Sequence, residues 1–355
     1  MKILIVRFRQ MGDAILTTVV ANSLRQNYPD AQIDLVLNDN IAPLFKDHPA
    51  LSHIITFSKD ERKNTFSYIR KVWKTVHNVH YDVIIDMRST LNTMLFALFS
   101  PSTRYRIGLK KPYTAIAFNH RIEPCRDDES MIDHNLNMLT PLRNGDFKLT
   151  RSFSLPISNN EKQDFRDYMQ QCGADFERPI VLCGVVGKLK EKTWNEQNMT
   201  WLLRQFIAKW PQTQLVFNYA PGEEEQSARR MYNNLDKNPN ILIDIQARTM
   251  RELVAMSHNI TMYFGNEGGA RHIVHAAGKP SFVICSPKGN KATWLPKNDI
   301  PADGIGPTDF ASAAELKQMS YEERYSLVDR DSVWQRLQQF IAENVSEIAA
   351  ENNVK

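Results

Sequence analysis

Cysteine is scarce in this chain and follows no pattern. Cys125, Cys172, Cys183 and Cys285 are scattered, with no CxxC and no zinc spacing. That argues against a disulfide framework and fits reduced, structural thiols. Long apolar runs are also missing. Met94–Phe99 is among the longest, far short of the ~20 residues a membrane-spanning helix needs. The N-terminus opens on Ile3-Leu4-Ile5-Val6 and then Arg7, with no long apolar region and no cleavage site, so a cytoplasmic protein is expected. The first strand is not followed by GxGxxG, which argues against an ordinary dinucleotide site. Nothing resembles a nucleic-acid-binding motif, and nucleic acid is not an expected partner. The pairs His272/His275 and His77/His80 have helical spacing but no adjacent Cys or carboxylate set, so no metal is expected.

What is present points to two α/β domains. A length of 355 residues suffices for two cores. The net charge of +4 is uneven: residues 1–155 carry 21 Lys and Arg against 15 Asp and Glu, and the rest is slightly acidic. The excess lies in 59–74 and 104–126, and suits an anionic partner such as a phosphorylated lipid or a membrane surface. A solvated helix face is the plainer account of 59–74, which also holds Asp60 and Glu61.

The most informative stretch is Tyr263–Pro287, YFGNEGGARHIVHAAGKPSFVICSP. An apolar strand breaks at Gly265-Asn266-Glu267-Gly268-Gly269. A helix resumes at Ala270 and ends at Gly278-Lys279-Pro280, and Ser281–Cys285 is the next strand. This is a βαβ unit with small residues at the helix start, where free amides and the helix dipole suit a phosphate. Arg271 and His272 in the first turn offer charge or hydrogen bonds to the same anion. A tight turn alone would also explain Gly268 and Gly269.

Elsewhere strands and helices alternate, as in a parallel sheet covered on both faces. Lys2–Val6 is a strand, Arg7–Asp13 a loop and Ala14–Asn27 a helix. Asp13 therefore sits at the carboxyl edge of the first sheet, where such folds bind ligands; N-capping of the helix is its plainer role. Arg88 and Arg104 are candidates for the same side. The expected domains are 1–155, a linker at 156–178 and a second domain at 179–330. A C-terminal amphipathic helix, Asp331–Glu351, has Val333, Leu337, Ile341, Val345 and Ile348 at helical spacing.

Together the motifs resemble glycosyltransferase family 9, the enzymes related to bacterial lipopolysaccharide heptosyltransferases. The resemblance is carried by MKILIVRFRQMGDAILTTVVANSLRQNYPDAQIDLV, by Lys192-Thr193-Trp194, by Ala220-Pro221-Gly222-Glu223 and by GNEGGARHIVHAAGKP. It implies an α/β GT-B fold: two Rossmann-like domains facing a central cleft, with the terminal helix (331–355) crossing back to the N-terminal acceptor domain. It further implies an inverting transfer, needing no metal or cofactor, from a nucleotide-diphosphate sugar to a lipid-linked or core-oligosaccharide acceptor. The family default donor is ADP-heptose. Asp13 matches the general base. Lys192, Glu223, Glu267, Gly268, Gly269 and His272 match the donor site. A peripheral contact with the inner face of the cytoplasmic membrane fits the basic N-terminal half. Glu267 replaces the family's usual Asp and Gly268 its usual Thr, and Lys188 and Lys190 stand in a loop that is usually Ser/Thr-rich. These departures leave open a non-catalytic nucleotide- or glycan-binding protein, and a nucleotide-sugar epimerase is a further alternative.

Overall fold

The structure, a computed structural model, describes residues 1–126, 128–187 and 189–350. Lys188 and Glu351 lie outside the described residues. The chain divides into two compact units: 1–156 with 296–298, and 157–295 with 299–355.

The first unit carries six parallel strands: β1 Lys2–Val6, β2 Gln32–Asn38, β3 His53–Phe57, β4 Val83–Asp86, β5 Tyr105–Leu109 and β6 His120–Ile122. Their order is β3-β2-β1-β4-β5-β6. The order reverses between β1 and β4, whose partners run from Ile3↔Val83 to Val6↔Asp86. Crevices of doubly wound sheets open at the carboxyl ends of such a strand pair. The helices are α1 Met11–Asn27, α2 Lys59–Lys63, α3 Thr65–Val79, α4 Leu91–Leu98 and α5 Met131–Asn137. Ile3 to Val6 are all fully buried, as strands covered on both faces require. Pro29 follows the end of α1, where the residue before a proline leaves helical geometry.

The second unit begins with α6 Asn159–Gln171 and continues β7 Ile180–Gly184, α7 Glu196–Lys209, β8 Gln214–Phe217, α8 Glu223–Asn234, α9 Met250–His258, β9 Met262–Asn266, α10 Gly269–Ala276, β10 Ser281–Ile284, α11 Lys291–Trp294 and β11 Ala302–Ile305. Then come α12 Ala313–Gln318, α13 Tyr321–Ser326, α14 Arg330–Asn344 and α15 Ser346–Ala349. The sheet order is β11-β10-β9-β7-β8, all parallel, and here the order reverses between β7 and β9.

Three expectations are revised. Residues 156–178, expected as a linker that holds a polar helix at 161–171, belong to the second unit from Ile157 onward. Ser158 and Glu161 form a capping box that starts α6. Phe165 and Met169 are buried in the second unit's core, and Arg251 grips Glu161 at 2.6 and 2.8 Å. Ile241–Asp244, whose apolar run predicts a strand from sequence, is not one. Ile241 bridges Leu215 and the Leu242 amide donates to the Leu215 carbonyl at 2.8 Å, but the amides of Ile241 and Ile245 close turns to Asn238 and Leu242, so the pairing stops at one bridge. The terminal helix, expected to pack back on the first domain, spends its apolar face in the second unit. Val333, Leu337, Phe340, Ile341, Val345 and Ile348 join the core of β7, β8, α7 and β10.

Burial of neutral histidines sets an acid limit on stability. Burial holds His48, in the first unit, and His258, in the second, down to about 4. The unfolded chain takes up these protons near pH 6.5 and the folded chain only near 4. Their stabilising contribution is therefore complete above the unfolded value and is lost as pH falls through that window. Tm is expected to fall between pH 7.5 and 5, above the range where ordinary carboxylates titrate; a flat Tm there would refute this.

Candidate active site

In the first unit the candidate base stands where the β1–α1 turn meets the reversal between β1 and β4. α1 begins at Met11, three residues earlier than the sequence suggested, so Asp13 lies in the first helical turn. Gln10, not Asp13, is the N-cap, and no side chain caps the helix. The capping role is thus not what this carboxylate does. Its Oδ1 accepts from Arg7 Nη2 at 2.7 Å, with both side chains almost wholly buried. Arg7 also donates to the Met87 carbonyl at 2.8 Å, just past β4, and touches Met131 Sδ of α5 at 3.8 Å. Burial lowers the guanidinium to about 10, opposed chiefly by Asp13. Asp13 Oδ2 has no bond partner among the described residues. Arg88 is half-buried and donates to the Phe8 carbonyl at 2.8 Å. Arg104 is exposed and lies over Tyr105.

In the second unit the reversal between β7 and β9 gathers most of the predicted donor residues around one side chain that sequence reading did not single out, Asn266. Its Nδ2 donates to the carbonyls of Gly184 and Val185 at 2.9 and 3.0 Å. Its Oδ1 accepts from the Trp194 amide at 2.7 Å. Asn266 thereby ties the end of β9 to the loop after β7 and to the Lys192-Thr193-Trp194 segment. Gly265 allows this close approach: at φ +139° it is open mainly to glycine, and a Cβ there would strike the Gly184 backbone. Trp194 is core, with Nε1 donating to the Val328 carbonyl at 2.9 Å. Replacing Asn266 by Ala would orphan two buried carbonyls and an amide, costing about 2–4 kcal/mol. A drop in Tm of roughly 5–15 °C is expected, and an unchanged Tm would show that the loops hold without this side chain.

Next along the chain, Glu267 accepts from Lys192 Nζ at 3.0 Å and from Ser286 Oγ at 2.6 Å. Its extra methylene is accommodated at Gly289, where an added Cβ would collide with Glu267 Oε2. Gly268 has open space where a side chain would project, so a threonine would meet no obstacle there. No side chain caps α10, which leaves its first-turn amides to the turn and to any ligand.

His272, expected to offer charge or a hydrogen bond, is buried. Burial, Arg271, His275 and Lys192 all depress its protonation, so the ring is neutral at pH 7. Its Nε2 accepts from Arg271 Nη2 at 3.0 Å. The cation here is Arg271, which also donates to the Trp294 carbonyl at 2.8 Å. Arg271 Nη1 is buried without a hydrogen-bond partner, and no carboxylate pairs with this guanidinium among the described residues. A buried cation in that state favours an anionic ligand nearby. The motif placed Arg271 in the first turn, but only packing shows that it is buried.

Glu223 is set apart from this group. It opens α8 after Gly222, is largely exposed, and reaches Lys190 at 3.5 Å, a contact of little energetic weight. Helix-dipole stabilisation accounts for an acidic residue there. A cavity of about 520 Å³ lies on the second unit along α6 and α9, lined by Glu161, Tyr168, Arg248 and Arg251 among others; none of the predicted donor residues lines it. Among the described residues one trio, Cys125, Glu129 and His134, brings metal-capable atoms within 4.8 Å of one another. Burial and Glu129 push that thiol up to about 12, and His134 meets the Arg126 carbonyl at 3.3 Å.

Comparison with known proteins places the chain in a family. A model described as Glycosyltransferase family 9 (heptosyltransferase) matches residues 69–296, a stretch that begins after Asp13. The chain is similar to Lipopolysaccharide heptosyltransferase 3 of Escherichia coli (strain K12), 30% identical over 193 residues; the match spans 50% of this chain and 49% of that protein, about half of each. Its fold is similar to that of a glycosyl transferase family 9 protein from Veillonella parvula DSM 2008, with TM-score 0.80, 16% identity and 97% of both chains covered. It is also similar to E. coli ADP-heptose lps heptosyltransferase II, with TM-score 0.73, 15% identity and coverage of 97% of this chain and 99% of that one. At these identities the structural likeness carries the fold, a GT-B architecture of two parallel α/β sheets.

Proposed function

The chain belongs to glycosyltransferase family 9, and from that premise we propose that it is an inverting glycosyltransferase. It moves a sugar from a nucleotide diphosphate to an acceptor of the lipopolysaccharide core class, lipid-linked or oligosaccharide. The observation that carries the reading is the grouping of Lys192, Glu267, His272 and the uncapped start of α10 at the β7/β9 reversal. Asp13 takes the proton of the acceptor hydroxyl. The acceptor oxygen bonds to the anomeric carbon while the bond from that carbon to the diphosphate breaks, and the electron pair leaves with the diphosphate. Lys192, Arg271 and the amides of Gly268 and Gly269 take up the developing negative charge. Neutral His272 contributes a hydrogen bond rather than charge. Sugar selection is assigned to Glu267, whose carboxylate accepts from Lys192 and Ser286. ADP-heptose is the first donor to try, since it is in the name of a relative of the same fold.

The test is a thermal-shift panel of ADP, UDP, GDP and CDP, free and as their sugars, on the full chain and on Lys192→Ala. One diphosphate is expected to raise Tm, by linkage to the folded state, and to lose that effect in the variant. A chain indifferent to every nucleotide would overturn the donor-site reading. A free sugar epimer released without acceptor would favour the epimerase instead.

A further inference from the structure

The first unit presents one helix face that its fold does not explain. The sequence predicts a helix over 67–79 with Ile69, Val72, Trp73 and Val76 on one side. The structure separates them. Tyr68, Val72 and Val76 are buried, whereas Phe66, Ile69 and Trp73 are 78%, 38% and 49% exposed. Positions 66, 69 and 73 follow helical spacing, so they form a single outward stripe. His77 extends it by stacking on Trp73 with ring centroids 4.2 Å apart. Large apolar groups in a row on a solvent-facing helix mark an interaction surface.

The charge around the stripe indicates what covers it. Lys59 and Lys63 of α2 and Arg70 and Lys74 of α3 are exposed, and none is ion-paired among the described residues. Lys71 is the exception, held by Glu61 at 2.7 Å, and Arg62 lies over Phe8. Asp60 is the one unpaired acidic group in the two helices. An aromatic and aliphatic stripe flanked by lysine and arginine is the composition of a helix that lies in a bilayer interface. Phe66 and Trp73 would enter the headgroup boundary, while the cations meet anionic headgroups. A second copy of this chain fits poorly, because a two-fold contact would set these cations against one another.

We propose that the exposed face of α3, with α2 beside it, docks the protein on an anionic lipid bilayer. The lipid-linked form of the acceptor proposed above gives this docking its purpose; the docking itself is tested without sugar transfer.

The experiment is co-sedimentation of the full chain with vesicles of phosphatidylcholine alone, or of phosphatidylcholine mixed with phosphatidylglycerol. The chain is expected to pellet with the mixed vesicles at about 0.1 M salt and to be released at about 0.5 M, where screening is strong. A triple variant, Phe66→Ser with Ile69→Ser and Trp73→Ser, is expected to bind roughly 10-fold more weakly or worse. A charge variant, Arg70→Glu with Lys74→Glu, changes residues already in water and is expected to lose binding while keeping the parent Tm. Failure of the parent to pellet with anionic vesicles would overturn the proposal. So would binding unchanged in the charge variant, or a dimer in sedimentation velocity that the triple variant dissociates. Because vesicle binding and nucleotide thermal shift are separate readouts, either reading can fail while the other stands.

Discussion

Asp13→Asn is expected to reduce sugar transfer by about 10³-fold while leaving nucleotide-induced stabilisation intact. The amide is nearly isosteric and can still accept a hydrogen bond from Arg7, so the β1–α1 turn should keep its shape. What it cannot do is take the acceptor's proton. Asp13→Ala makes the necessary contrast. It removes the partner of a buried guanidinium that also depends on the Met87 carbonyl. Breaking such a pair costs about 3–5 kcal/mol because the remaining charge stays buried. The alanine variant should therefore lose both activity and Tm, and the asparagine variant activity with a much smaller loss of Tm. Transfer by Asp13→Asn close to the parent rate would show that the carboxylate only supports Arg7.

Lys192→Ala carries the second large effect, a fall in kcat/KM of roughly 10²–10³. With no metal in the proposed reaction, the leaving diphosphate depends on protein cations and amides. Lys192 also neutralises Glu267, so a single variant mixes two losses. The double variant with Glu267→Gln separates them. If Lys192 serves only to balance Glu267, removing both charges restores much of the activity. If it stabilises the diphosphate, the double variant stays as slow as Lys192→Ala and the nucleotide-induced shift in Tm stays absent. Restored activity would move the diphosphate role to Arg271 and the start of α10.

The two sheets and their order of elements were largely legible, because buried parallel strands appear as short apolar runs separated by amphipathic helices. Misreadings fell where hydrogen bonding rather than periodicity decides. Ile241–Asp244 has the apolar content of a strand, but it meets β8 through a single bridge, because the Ile241 amide closes a turn to Asn238. Gln10 is the N-cap of α1 although its side chain makes no capping bond, so the helix starts earlier than Asp13 suggested. The polar helix expected at 161–171 is present from Asn159, but its place in the fold was not legible: two apolar residues and the Glu161–Arg251 pair fix it to the second core.

By itself the sequence determined the fold class and the family, and it marked Asp13, Lys192, Glu267 and the Gly-rich start of α10 for attention. Those depend on local patterns: a strand, a turn and a helix each have a recognisable run of residues. Only the tertiary structure decided the partners. It set Arg7 against Asp13, made Asn266 the tie between the end of β9 and both ends of the β7–α7 connection and gave Gly289 its role as room for Glu267. It also assigned the positive charge to Arg271 rather than His272, and it turned Phe66, Ile69 and Trp73 outward. Each of these depends on which atoms meet across the fold, and burial and the distance between charges are properties that no one-dimensional pattern contains.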